Sequence, residues 1–251
     1  MRSIFDSAVF NERLFFPRRD ATPCPPSSVD RWIAVDANAT LHARIHPCRA
    51  ARGAVLLFHG NAEVVADYDA MRERFHERGL SLAVVDFRGY GRSTATPTLR
   101  TAIDDAPLVL RALRDELTLN DALPLVVFGR SLGGHCAAAI AGATPALCDA
   151  IVLESAASDL HALIARRGLR LDAPLTDDER AVFDPRPKLA RCTVPALVLH
   201  GAMDTLISPR EAQANFDALG SQDKRLVLVE GRGHNDLSLA RSYWDAIERL
   251  V

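Results

Sequence analysis

No Cys-x-x-Cys pair occurs in this chain, and its five cysteines, Cys24, Cys48, Cys136, Cys148 and Cys192, are scattered and odd in number. That excludes a disulfide framework and places the chain by default in a reducing cytoplasm. Cys136 and Cys148 read as small buried apolar residues. No Cys/His cluster has metal-ligand spacing, and Glu63, Asp67 and Asp69 read as charges at a helix start. No metal and no cofactor is therefore expected. Long apolar runs are missing too. Nothing approaches the roughly 20 residues that cross a bilayer, and residues 1–6 lack the apolar stretch of a signal peptide. Charge of one sign is also absent: 30 Lys and Arg face 32 Asp and Glu, a formal net of −2. Neither nucleic acid nor an anionic membrane is an expected partner. The pair Arg166-Arg167 reads as a solvated helix face. Gly89-x-Gly91 lacks the third glycine and the Lys-Ser/Thr of a phosphate loop.

What is present is a full core. With 251 residues, 48% of them hydrophobic, the chain suits one α/β domain. Residues 1–28 read as an extension that packs Phe10, Leu14, Phe15 and Phe16 onto the domain, before Pro23, Pro25 and Pro26 stiffen the connection. Asp6, Glu12 and Asp20 dilute any basic face there, which disfavours a membrane-surface anchor. Residues 29–251 form the domain. Runs at 32–35 and 41–45 around a polar turn predict a hairpin. Buried-strand runs follow at 54–58, 80–85, 125–128, 150–153, 196–199 and 225–229. Helices are predicted between them: 65–78, from 101 or 105 to 117 with Pro107 tolerable only near its first turn, 136–143, 160–167, 209–219 and 239–250. Ser208-Pro209-Arg210-Glu211 reads as a capping box. This alternation predicts a mostly parallel sheet of about eight strands with helices on both faces and an antiparallel hairpin at one edge. Residues 156–194 make at most a small cap, which leaves an open site.

The stretch 125–134 carries the chemistry. An apolar strand runs into Gly129-Arg130-Ser131-Leu132-Gly133 and then an Ala-rich helix, the context of a nucleophile elbow. Gly129 and Gly133 spare the turn two side chains that would strike the neighbouring strand and helix. Asp204 and His234 also follow directly from strands. Loops at the carboxyl ends of parallel strands converge, so Ser131, Asp204 and His234 can meet. His234 would take the Ser131 proton as general base, and Asp204 would orient the imidazole. His59, His161 and His200 compete as the base, but His59 and His200 precede glycines and read as loop-shaping, and His161 sits on a predicted helix. Two amides should form an oxyanion hole: that of Leu132, and that of Asn61 or Ala62 in the loop after strand 54–58. The acyl pocket is expected to draw on Val64, Tyr90, Leu160, Leu163 and Leu206.

The motifs His59-Gly60-Asn61-Ala62, Arg88-Gly89-Tyr90-Gly91-Arg92-Ser93, Gly129-Arg130-Ser131-Leu132-Gly133-Gly134 and Gly233-His234-Asn235-Asp236 together closely resemble the α/β-hydrolase fold superfamily. Within it they resemble the Bem46-type serine hydrolases, over about residues 28–250. The resemblance implies Ser131, Asp204 and His234 as triad, the Asn61 and Leu132 amides as oxyanion hole, and hydrolysis of esters, thioesters or lipid-like acyl groups. The chain departs from the pattern at Glu63, where relatives often carry Gly, and it lacks the N-terminal membrane helix many of them have. The expected activity is a cytoplasmic serine hydrolase, carboxylesterase-like, acting on small to medium acyl substrates. An acyl-peptide hydrolase or peptidase, and a hydrolase-like binding protein without turnover, are the alternatives. A dehalogenase would need a carboxylate where Ser131 stands.

Overall fold

A computed structural model of the chain describes residues 3–119 and 121–250. The first two residues of the 1–28 extension and residue 251 of the domain lie outside the described residues. Eight strands make one sheet: β1 (Val29–Ala34), β2 (Thr40–His46), β3 (Gly53–Phe58), β4 (Leu80–Val85), β5 (Leu125–Arg130), β6 (Ala150–Glu154), β7 (Ala196–Gly201) and β8 (Lys224–Val229). Their spatial order is β1-β2-β4-β3-β5-β6-β7-β8. β1 and β2 pair antiparallel, as do β2 and β4; every other pairing is parallel. Between and around them run α1 (Ala8–Leu14), α2 (Arg72–His76), α3 (Leu99–Thr118), α4 (Gly134–Ala143), α5 (Leu160–Arg166), α6 (Asp177–Phe183), α7 (Arg186–Leu189), α8 (Pro209–Ala218) and α9 (Arg241–Glu248).

Successive strand side chains point to opposite faces, so each inner strand feeds two layers. Leu56 of β3 and Val127 of β5 pack with Phe10, Leu110, Ile140, Phe183 and Ala212, from α1, α3, α4, α6 and α8. Val55 and Val126 pack on the other face with Phe75 of α2 and Trp244 and Ile247 of α9. Continuous burial on both sides explains the unbroken apolar runs of β3 to β7. The site follows from the strand order. After β3 the chain moves outward to β4, then returns to place β5 on the other side of β3. That reversal opens a crevice at the carboxyl ends of β3 and β5.

The N-terminal segment is part of the core. Phe5 and Phe10 are fully buried and meet edge to face at 5.2 Å, and Phe5 stacks on Phe183 of α6 at 4.5 Å. Each such ring contributes about 1.5–3 kcal/mol by burial. Asn11 ties the segment down by accepting from the Leu99 amide at the start of α3 (2.8 Å).

Three local expectations are corrected. The helix foreseen over 65–78 is a 3-10 turn at Val65–Tyr68 and then α2. Side chains hold the first part in place: Asp86 accepts from the Val65 amide (3.0 Å), and Asp69 pairs with buried Arg44 (2.8 Å). α3 starts earlier than foreseen, so Pro107 lies inside it. Thr98 and Thr101 cap each other reciprocally, and burial of Leu99, Ile103, Ala106 and Leu110 offsets a proline cost of about 3 kcal/mol. At α8, Ser208 caps the Arg210 amide, but Glu211 turns away to bind Arg166 and the amides of Ser158 and Asp159.

Candidate active site

Ser131 sits at φ +50°, in left-handed backbone that a residue with a side chain occupies at a cost of about 1–2 kcal/mol. Close packing enforces that turn. A Cβ on Gly133 would lie 2.0 Å from the Phe58 carbonyl of β3, and one on Gly129 would lie 2.5 Å from the Gly133 carbonyl. The elbow can therefore press against β3, and the 3-10 turn Ser131–Gly133 leads straight into α4.

Ser131 Oγ lies 3.0 Å from His234 Nε2, and His234 Nδ1 lies 2.7 Å from Asp204 Oδ2. The Asp204 side chain is fully buried and the His234 ring almost so. With Nδ1 donating to Asp204, Nε2 is the acceptor that faces the serine hydroxyl. The other carboxylate oxygen of Asp204 accepts from the Leu206 and Ile207 amides, at 2.8 and 2.9 Å. Burial alone would raise the Asp204 pKa. Hydrogen bonds from His200, His234 and the Ile207 amide outweigh it and hold the carboxyl well below the usual range.

The competing histidines do other work. His200 Nε2 contacts both the Ile207 carbonyl (2.9 Å) and Asp204 Oδ2 (3.2 Å), which fixes the acid loop. His59 is buried against Asp86 and Phe87, and His161 is exposed on α5. In the loop after β3, Gly60 N–H donates to Glu63 and Ala62 N–H donates to the Asn61 side chain (3.0 Å). The Asn61 N–H takes no partner among the described residues. The Asn61 side chain also accepts from the Phe16 amide and the Tyr90 hydroxyl and donates to the Leu14 carbonyl, so it anchors the N-terminal segment at the rim.

An open cleft of about 510 Å³ lies over Ser131, walled by Leu14 and Phe16, by Leu163, Arg166 and Arg167 of the α5 region, by His135, and by residues 205–207. Leu163 and Leu206 line it. Val64, Tyr90 and Leu160 do not: all are core residues, at most 2% exposed. Their apolar character serves packing, and Tyr90 meets the rim through its hydroxyl, which donates to Asn61 and accepts from the Phe16 amide. Of residues 156–194, only the first part meets the cleft; α6 and α7 pack against Phe5 and α4 instead.

Sequence reasoning missed a charge network beside Ser131. Arg130 meets Glu63 (2.9 Å), Glu154 (3.2 Å) and Asn235 (2.8 Å). Tyr68 and Tyr243 donate to those two carboxylates, each at 2.7 Å. Burial works against the Arg130 charge, but Glu154 and Glu63 outweigh it and raise its pKa. The available signal was a charged residue at the end of each of two buried strands, Arg130 on β5 and Glu154 on β6. Arg166 and Arg167 are likewise not a solvated face but a wall of the cleft. No group of three or more His, Cys, Asp or Glu among the described residues could hold a metal ion.

Similarity to known proteins agrees with this fold. An uncharacterized protein of Mycobacterium tuberculosis is 30% identical over 203 residues, covering 79% of this chain and 69% of its own. An uncharacterized membrane protein of Saccharomyces cerevisiae is 26% identical over 200 residues, 78% of this chain and 70% of its own. The solved structure of an esterase from Pyrococcus furiosus superposes with a TM-score of 0.75 at 18% identity, covering 93% of this chain and 97% of that one, which shows a shared fold. The family model for serine aminopeptidase S33 matches residues 49–178 and 180–238. A match over well more than half of the residues, on a sheet of this order, makes the chain a member of the serine aminopeptidase S33 family of α/β hydrolases.

Proposed function

We propose that this protein hydrolyses carboxylic esters, or thioesters, of small to medium size through an acyl-enzyme on Ser131. The observation that carries the reading is the unbroken line of hydrogen bonds from Ser131 through His234 to Asp204. Ser131 Oγ attacks the carbonyl carbon while His234 Nε2 takes its proton. Asp204 stabilises the imidazolium. The oxyanion that forms is met by the Asn61 and Leu132 amides, and the unpartnered Asn61 N–H supports that assignment. Collapse expels the alcohol, which takes the proton from His234. Water, activated by the same histidine, then releases the acid and restores the serine. Every proton moves between side chain, substrate and water.

The open cleft favours small, accessible esters, and a Pyrococcus furiosus relative in fold is itself called an esterase. The family's name favours a second reading, a peptidase. Five free thiols and the lack, among the described residues, of any helix long and apolar enough to cross a membrane support a cytoplasmic protein acting on a small molecule. The test is labelling by a fluorophosphonate together with turnover of 4-nitrophenyl butyrate. The protein should be labelled and active, and Ser131→Ala neither. Labelling of Ser131→Ala at the wild-type level ends the assignment. Faster cleavage of aminoacyl 4-nitroanilides than of esters makes it a peptidase, and absence of any turnover leaves a binding role.

A further inference from the structure

We propose that Arg167, with His135, forms a carboxylate-accepting subsite in the cleft over Ser131, so that preferred substrates carry a carboxylate beside the ester. The inference deepens the ester-hydrolase reading and rests on it. Three arginines line the cleft. Arg130 is neutralised by Glu63 and Glu154, and Arg166 by Glu211 at 2.5 Å. Arg167 has no carboxylate within ion-pair distance among the described residues, and its Nε is buried without a hydrogen-bond partner. A helix C-terminus could explain an arginine by its carbonyls alone. Here Arg13 performs that task, with Nη1 donating to the Arg167 and Gly168 carbonyls at 3.4 and 3.2 Å. The Arg167 guanidinium instead lies over the Phe16 ring, 5.7 Å from its centre, which positions the charge without cancelling it.

His135 supplies an independent observation. It is 3% exposed, lines the same cleft, and both ring nitrogens lack partners. Burial, with Lys188 close by, keeps its pKa down to about 4, so it is a neutral donor rather than a second cation. Buried polar atoms without partners are rare because they are costly. A substrate carboxylate would pair with the guanidinium fork, which presents two parallel N–H groups to its two oxygens, and the one ring N–H of neutral His135 is a further donor in the same cleft. A plain alkyl chain would cover these groups and leave them unpaired, so the cleft discriminates against it. Among the described residues the one acidic side chain on the cleft wall, Glu63, is already committed to Arg130, Tyr68 and the Gly60 amide.

The experiment compares kcat/KM for 4-nitrophenyl hydrogen glutarate and 4-nitrophenyl butyrate, and for 4-butyryloxybenzoate and phenyl butyrate, so that the carboxylate is offered on the acyl or the alcohol side. In at least one pair the charged ester should be preferred. Arg167→Gln should reduce that charged-to-neutral ratio by about 10- to 100-fold, mainly through KM, with Arg167→Lys intermediate. An equal loss on both esters, or no preference in either pair, overturns the subsite. Calorimetric binding of glutarate to the Ser131→Ala protein separates this from the hydrolase reading. Glutarate should bind, and the Ser131→Ala/Arg167→Gln protein should bind it at least tenfold more weakly. Failure of glutarate to bind, undiminished binding without Arg167, or tighter binding of inorganic phosphate overturns the proposal even if every ester is inert.

Discussion

Asp204 shows how much of the candidate active site is the holding of one side chain. Both its oxygens are engaged, one by two amides, the other by two histidines. These donors keep it ionised in a fully buried place, where a lone carboxylate would take up a proton. The consequence is a fixed tautomer on His234. Asp204→Asn offers an NH2 where an acceptor is needed and turns the imidazole to the wrong tautomer. We expect kcat on 4-nitrophenyl butyrate to fall by about 10³–10⁴-fold with KM little changed. A loss below tenfold in steady-state kinetics would mean that Asp204 does not orient the base. Arg130 illustrates the same logic on the other flank: its charge is tolerable in the elbow because Glu63 and Glu154 both meet it.

Among the elements, the N-terminal segment carries more than its irregular sequence suggests. α1 contributes Phe10 and Leu14 to the core, and the chain beyond it contributes Phe16 to the cleft. Asn11 is the clasp. Its amide group donates to the Phe5 and Ser7 carbonyls and its oxygen caps α3 through the Leu99 amide. Asn11→Ala strands that buried helix-end amide without a partner. A stability loss of about 1–3 kcal/mol is expected, read as a lower urea midpoint with unchanged slope. A change within about 0.5 kcal/mol would show the segment to be peripheral. Phe10 and Phe15 could be picked out from the sequence, but Phe5 and Asn11 could not, and Phe16, expected to pack with them, stays half exposed. An asparagine on a short helix ordinarily faces water, and only the placement of α3 beside α1 gives it work.

At the scale of the molecule, two buried histidines make the fold sensitive to acid. His135 and His46 both have pKa values lowered to about 4, through burial first and then neighbouring cations. Unfolded, each returns to about 6.5. Between those values the unfolded chain binds more protons, so stability falls as pH drops through the window from about 6.5 to 4, and their contribution is exhausted below it. The loss is on the order of 3 kcal/mol per histidine. Urea midpoints taken between about pH 7 and 4.5 should decline steadily, and His46→Asn should flatten that slope. A slope that is the same with and without His46 would count against its burial as a neutral ring.

Some of this protein was set by local order. Apolar runs bounded by turns, recurring between helical stretches, specify a parallel sheet whatever else the chain does, because burial on both faces leaves no alternative for such runs. The elbow glycines belong with them, since Gly133 has no room for any other side chain. That Ser131, Asp204 and His234 could meet was visible too, because each stands at the end of a strand. What the sequence could not supply was which residues of the loops and the extension face one another. Val64, Tyr90 and Leu160 looked fit for a pocket and are core, while Arg167, His135, Leu14 and Phe16 looked ordinary and line the cleft. Composition is the same in both settings. The difference lies in the reversal of strand order between β3 and β5 and in the path of the segment pinned by Asn61 across the rim, and both exist only once distant parts of the chain have packed.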